Sequence, residues 1–176
     1  MLKLNLSLLI AALGLAAFSA PASAHITLAT QEATVGASFK AVLVVGHGCG
    51  AEATTSMRVQ IPDGFYNVKP MPKAGWTVET VIGAYAHPYS NHGTEMTEGV
   101  TEISWSGGNL PDAYFDEFSF RGTFGGDLEA GSRIAFPVIQ GCGATEDAWI
   151  DTSGDDDAEM PAPSLILVPG ATEHHH

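Results

Sequence analysis

A histidine that stands first in a chain is a different reagent from one inside it. His25 follows Ala22-Ser23-Ala24, the small-residue pattern at which signal peptidase cuts. Cleavage there would leave a free α-amine beside an imidazole, and the amine and Nδ1 of one residue can close a chelate ring on a single ion. The amine's ordinary pKa of about 7.7 to 8.0 lets a metal displace its proton at neutral pH. Two nitrogens held in this way suit copper(II), which prefers tetragonal nitrogen and oxygen sites and heads the affinity order of divalent first-row metals. In the uncut precursor the same nitrogen is an amide, a far weaker ligand. The competing reading is an incidental histidine, because cleavage and chelation are independent.

The other candidate groups sit in turns and loops. His47 lies in Gly46-His47-Gly48-Cys49-Gly50, and Cys142 in Gly141-Cys142-Gly143. In an exported chain an even pair of cysteines most simply forms one disulfide. Bridging Cys49 to Cys142, 93 positions apart, would contribute about 4 to 5 kcal/mol by restricting the unfolded chain. A thiolate copper(I) site is the alternative, since soft sulfur favours that ion. The bridge would join two glycine-rich turns and hold His47 near Trp149, whose indole could shield a metal or simply pack in the core. His87 and His92, read as a loop pair, and the thioethers of Met71 and Met96 are a weaker second set of ligands. Five carboxylates between Asp151 and Glu159 do not follow the order of a calcium loop and read as a solvated loop. The sequence carries no nucleophile elbow, zinc-protease helix, phosphate loop or dinucleotide fingerprint.

These groups must be positioned by strands. Residues 1–24 form a signal peptide in which the apolar run Leu8 to Phe18 is too short for the roughly 20 residues of a spanning helix. From 25 to 169, period-two alternation recurs at Ile26 to Ala29, Ser38 to Val45, Thr55 to Ile61, Trp76 to Ile82, Val100 to Trp105, Phe118 to Phe124, Arg133 to Ile139 and Leu165 to Val168. Turn clusters separate them, among them Pro62-Asp63-Gly64, Gly107-Gly108-Asn109 and Gly125-Gly126-Asp127. With no helical periodicity between strands, the expected fold is all-β: an immunoglobulin-like antiparallel β-sandwich of about eight strands. Residues 170–176 are a tail that ends in an expression-tag remnant.

Charge narrows the partners. Twenty Asp and Glu against seven Lys and Arg give a formal charge of −13, which repels nucleic acid and anionic lipid and favours a soluble monomer.

Several segments together resemble one family. They are His25-Ile26-Thr27 directly after the cleavage pattern, His47-Gly48-Cys49 at a strand end, Val68-Lys69-Pro70-Met71-Pro72-Lys73-Ala74-Gly75-Trp76, Ile103-Ser104-Trp105-Ser106-Gly107-Gly108, Asp116-Glu117-Phe118, and Cys142 with Trp149. From His25 to about Val168 the chain is similar to the YcnI-like copper-binding proteins of bacteria, in the variant typical of Gram-negative species. The resemblance implies an exported β-sandwich that binds Cu2+ through a mono-histidine brace, which falls on His25, with Trp149 beside it. It also implies a carboxylate after the second strand, where this chain has His47 and, slightly further on, Glu52. The third ligand is then His47 or Glu52, with His47 preferred because imidazole suits copper(II).

The expectation is a periplasmic or secreted protein, not an enzyme, that sequesters copper or delivers it to a copper transporter or another copper chaperone and meets the membrane only through such partners. The alternatives are an oxidative copper enzyme of the histidine-brace type, and an adhesion or interaction domain whose first histidine is incidental.

Overall fold

A computed structural model describes residues 25–155 and 157–170. The expected signal peptide (1–24) and the expected tag remnant therefore lie outside the described residues. Twelve strands follow one another: β1 (Thr27–Leu28), β2 (Glu32–Thr34), β3 (Ser38–Val45), β4 (Thr54–Gln60), β5 (Phe65–Pro70), β6 (Thr77–Asn91), β7 (Thr94–Leu110), β8 (Asp116–Phe124), β9 (Arg133–Ala135), β10 (Val138–Cys142), β11 (Thr145–Trp149) and β12 (Ser164–Val168).

They form a sheet β1-β3-β8-β5, a sheet β11-β10-β4-β7-β6 and a small sheet β2-β12-β9. Alternation explains how the sheets face each other. On β3, Ala41, Leu43 and Val45 are fully buried while the residues between them are not, so one face of the strand is apolar. Phe118, Phe120 and Phe124 of β8 and Phe65 of β5 extend that face. Met57, Val59, Ile103, Trp105 and Val138 come to it from the second sheet, and Leu165 and Leu167 from the third, making one continuous core.

Among the described residues the strands number twelve, not about eight, for local reasons. Phe136-Pro137 divides the expected Arg133 to Ile139 strand into β9 and β10, since proline has no N–H to donate to a ladder. β2, β5 and β11 lack clean alternation: Asn67 in β5 has φ 53 and the ladder to β8 slips between Tyr66 and Lys69, while β11 carries Glu146 and Asp147. Gly107-Gly108-Asn109, expected as a turn, lies inside β7. A Cβ at Gly108 would fall 2.0 Å from the Trp76 ring, so the glycine there admits an indole instead of turning the chain. The expected loop from His87 to His92 is likewise the end of β6. Asn91 pairs with Thr94, and His92 (φ 50) and Gly93 (φ 82) make the two-residue turn between β6 and β7.

Three registers place the candidate site. Thr27 pairs with Val44 and Leu28 with Leu43, so the same register carried back two residues sets His25 level with Gly46. On the other edge of β3, Val45 pairs with Asp116. Across the second sheet, Gly141 pairs with Ser56 and Gln140 with Met57, which brings the β10 end beside the turn that leads into β4.

Phe65 is 1% exposed and meets the rings of Phe120, Phe124 and Phe136 at 6.2, 4.6 and 5.7 Å. Urea unfolding is expected to show a loss of about 3 to 5 kcal/mol for Phe65→Ala. Val81→Ala on the exposed edge strand should change stability by less than about 0.5 kcal/mol; equal effects would contradict this core.

Candidate metal centre

His25 enters the fold ahead of two anchors, Ile26 and Leu28, each 3% exposed. Burying these side chains fixes β1 against β3 although the strand is only two residues long. The His25 ring then lies 5.6 Å from the Trp149 ring at an interplanar angle of 65°, an edge-on contact that restricts the imidazole and covers one side of it. Trp149 is itself 2% exposed, at the end of β11.

One buried side chain ties Trp149 to His47. Gln140, 1% exposed, accepts the indole Nε1–H of Trp149 at its Oε1 (3.2 Å). Its Nε2 donates to the His47 carbonyl (2.8 Å) and to Thr54 Oγ1 (2.7 Å). Next to it, Cys49 and Cys142 form the expected disulfide, and the Cys49 N–H points at Cys142 Sγ (3.0 Å).

The turn between them is closed by reciprocal backbone hydrogen bonds of Cys49 and Glu52, each 3.2 Å. A Cβ at Gly48 would lie 1.8 Å from the Glu52 carbonyl oxygen, so only glycine fits there. The Gly48 N–H donates to Asp112 Oδ1 (3.0 Å). In this turn His47 Nδ1 lies against the Gly48 carbonyl, and His47 Nε2 is buried with no hydrogen-bond partner. A buried ring nitrogen left in this state is uncommon and is available as a donor to an ion.

The structure thus brings His25 onto Trp149 and joins Trp149 through Gln140 to the His47 backbone. Glu52 shapes that turn through its backbone, and its side chain is exposed. Among the described residues, no three His, Cys, Asp or Glu side chains converge tightly enough to hold an ion by themselves. The α-amine of a chain cut before His25 is a donor beyond that set.

Beside His25 opens a cleft of about 300 Å³ shared with Gln31, Arg133, Asp151, Asp155 and Ser164. The hydroxyl and N–H of Ser153 hold the Asp151 carboxyl below the usual carboxylate range. Arg133 Nη1 donates to Ser164 Oγ (3.0 Å).

The weaker ligand set is dispersed. His87 Nε2 sits 3.1 Å from Asp127 Oδ2 and its ring lies 4.5 Å from that of Tyr89, whereas His92 is at the hairpin tip. An extended strand separates residues five apart by roughly 16 Å. Burial pushes the Tyr89 phenol above its ordinary range and the nearby Asp127 adds to this, while the N–H of Gly64 pulls it back. The Met71 carbonyl accepts from Trp105 Nε1 (3.2 Å), and Met96 pairs with Tyr89.

Gln140 and Asp112 escaped the sequence reading. The signal for Gln140 was present: it occupies an inward position between Val138 and Cys142, and a buried amide must find partners.

Residues 25–167 match the family described as "Domain of unknown function (DUF1775)". No curated protein matches the chain. Among solved structures, an uncharacterized protein from Nocardia farcinica with an immunoglobulin-like fold is similar at 23% identity and a TM-score of 0.60, covering 82% of this chain and 98% of that one. The seventh ScaB type I cohesin from Pseudobacteroides cellulosolvens aligns at 11% identity and a TM-score of 0.39, over 86% of this chain and 96% of its own. The first likeness shows the immunoglobulin-like fold of this chain.

Gln140→Leu should remove partners from Trp149, His47 and Thr54 at once, at a cost of about 3 kcal/mol. The check is urea unfolding together with the Trp149 emission maximum. Parental stability and an unchanged spectrum would show that the amide does not organise this end of the fold.

Proposed function

The chain belongs to the DUF1775 family, and from that premise we propose that it is an exported copper(II)-binding protein that sequesters or delivers its cargo without turnover. The α-amine and Nδ1 of His25 chelate the ion, His47 supplies a further nitrogen, and Trp149 shields one side. The observation that carries this reading is the edge-on packing of His25 against Trp149, at the residue where the family match starts.

The donor chemistry fits. Amine and imidazole are the nitrogens that copper(II) favours, and the orphaned Nε2 of His47 has no hydrogen-bond partner that would compete with an ion. Gln140, by fixing both the indole and the His47 backbone, sets where ligand and shield stand before any ion arrives, which lowers the ordering cost of binding. The cleft beside His25 provides a route by which the ion can leave for a transporter or another chaperone. Export places the protein in the periplasm or outside the cell.

The same cleft favours a second reading, an oxidative copper enzyme with an open flank. Reductant-dependent peroxide formation by the copper-loaded chain separates the two: its absence supports a carrier.

For the chain beginning at His25, copper(II) competition titrations are expected to show His25→Ala weakening binding by at least about 100-fold and His47→Ala by about 10-fold. Glu52→Ala should leave it unchanged. A His25→Ala chain that binds as tightly as the parent would overturn the brace.

A further inference from the structure

Tyr114 and Phe115 are 65% and 70% exposed, more than any other exposed large apolar side chain among the described residues. Two adjacent aromatics held in water are costly unless something covers them. Their loop, 111–115, is not loose: the Tyr114 N–H donates to the Pro111 carbonyl (3.0 Å), and Asp112 Oδ1 accepts from Gly48 (3.0 Å). The loop is therefore tethered to the turn that carries His47.

Register places it more closely. Val45 is paired with Asp116, so Phe115 falls one step on, level with Gly46. The β1 register sets His25 level with the same glycine from the opposite side. Phe115 and His25 are then two strand spacings apart, roughly 10 Å, on the same end of one sheet.

The surroundings are acidic. Asp112, Glu117 and Glu52 are exposed, Asp116 is engaged by Lys73 Nζ at 2.6 Å, and the chain as a whole carries −13. A second copy would bring the same carboxylates to the contact, and an anionic bilayer would be repelled. A protein surface with an apolar centre and a Lys/Arg rim meets both features.

We propose that Tyr114 and Phe115 form the docking platform for a cation-rimmed partner protein that exchanges metal at His25. The cargo in this statement rests on the copper reading; the platform itself does not.

The test uses the chain without copper. The probe is a synthetic amphipathic helical peptide with Leu on one face and Lys on the other, followed by amide chemical shifts of the ¹⁵N-labelled protein. Controls are the same peptide with Glu for Lys, phosphatidylglycerol vesicles, and the protein alone over a concentration series. Shifts are expected at residues 46–48 and 112–117. Binding should weaken at least about fivefold in the doubly substituted Tyr114→Ser, Phe115→Ser chain and again at about 0.5 M salt. It should not change in the Val81→Ser, Ile82→Ser chain, whose apolar pair is exposed elsewhere. Shifts centred on the acidic loop from Asp151 to Glu159, or unaltered binding by the Tyr114/Phe115 variant, would overturn the platform. Preferential binding of vesicles, or self-association through these residues, would overturn the partner assigned to it. Since no metal is present, failure here leaves the His25 titration untouched, and failure of that titration leaves this result standing.

Discussion

A primary amide withdrawn from water must satisfy two N–H groups and a carbonyl within the protein, or cost a substantial part of a domain's marginal stability. Gln140 does so by reaching three separate segments: the His47 turn, the start of β4 at Thr54, and the Trp149 indole on β11. The first two lie seven residues apart around the turn into β4 and the third sits nine residues after Gln140, so the amide joins the β3–β4 connection to the β10–β11 hairpin. Satisfying one amide thereby fixes the relative positions of the imidazole-bearing turn and the indole against which His25 packs.

The covalent and steric constraints act on the same turn. The Cys49–Cys142 bridge spans 93 positions and removes many conformations of the unfolded chain. Gly48 lets the Glu52 carbonyl approach closer than any side chain would allow, and Asp112 holds the turn from the β7–β8 loop. The rigidity is local to the end of the sandwich where the candidate ligands gather. Elsewhere, as on β6 with Val81 and Ile82 exposed, the sheet faces solvent with little packed against it.

Much of this was legible in the residues. The alternation from Ser38 to Val45 and from Phe118 to Phe124 identified strands β3 and β8, and an even pair of cysteines, read with the expectation of export, pointed to the disulfide. What the pattern hid has physical causes. β5 breaks alternation at Asn67, whose left-handed backbone shifts the ladder. Gly108 looked like a turn because the indole that fills its missing side chain comes from Trp76, thirty-two residues earlier in the chain. The contact between His25 and Trp149 depends on β1 joining β3 in one sheet and β11 joining β10 in the other; no local spacing encodes it. Gln140 was visible as a polar residue in an apolar register, but two of its partners, His47 and Thr54, lie 93 and 86 residues away.

The site then reads as a sequence of dependencies: burial of Ile26 and Leu28 docks β1, the docked strand sets His25 on Trp149, and Gln140 holds that indole to the His47 turn. What remains chemical is the state of the nitrogen at residue 25. The most direct measurement follows Trp149 fluorescence as one equivalent of copper(II) is added to the chain starting at His25, with its amine free and with the same amine acetylated. The expected result is stoichiometric quenching of the free form and little quenching of the acetylated one. Equal quenching of both, or none in either, would contradict a metal held by the terminal amine beside this tryptophan.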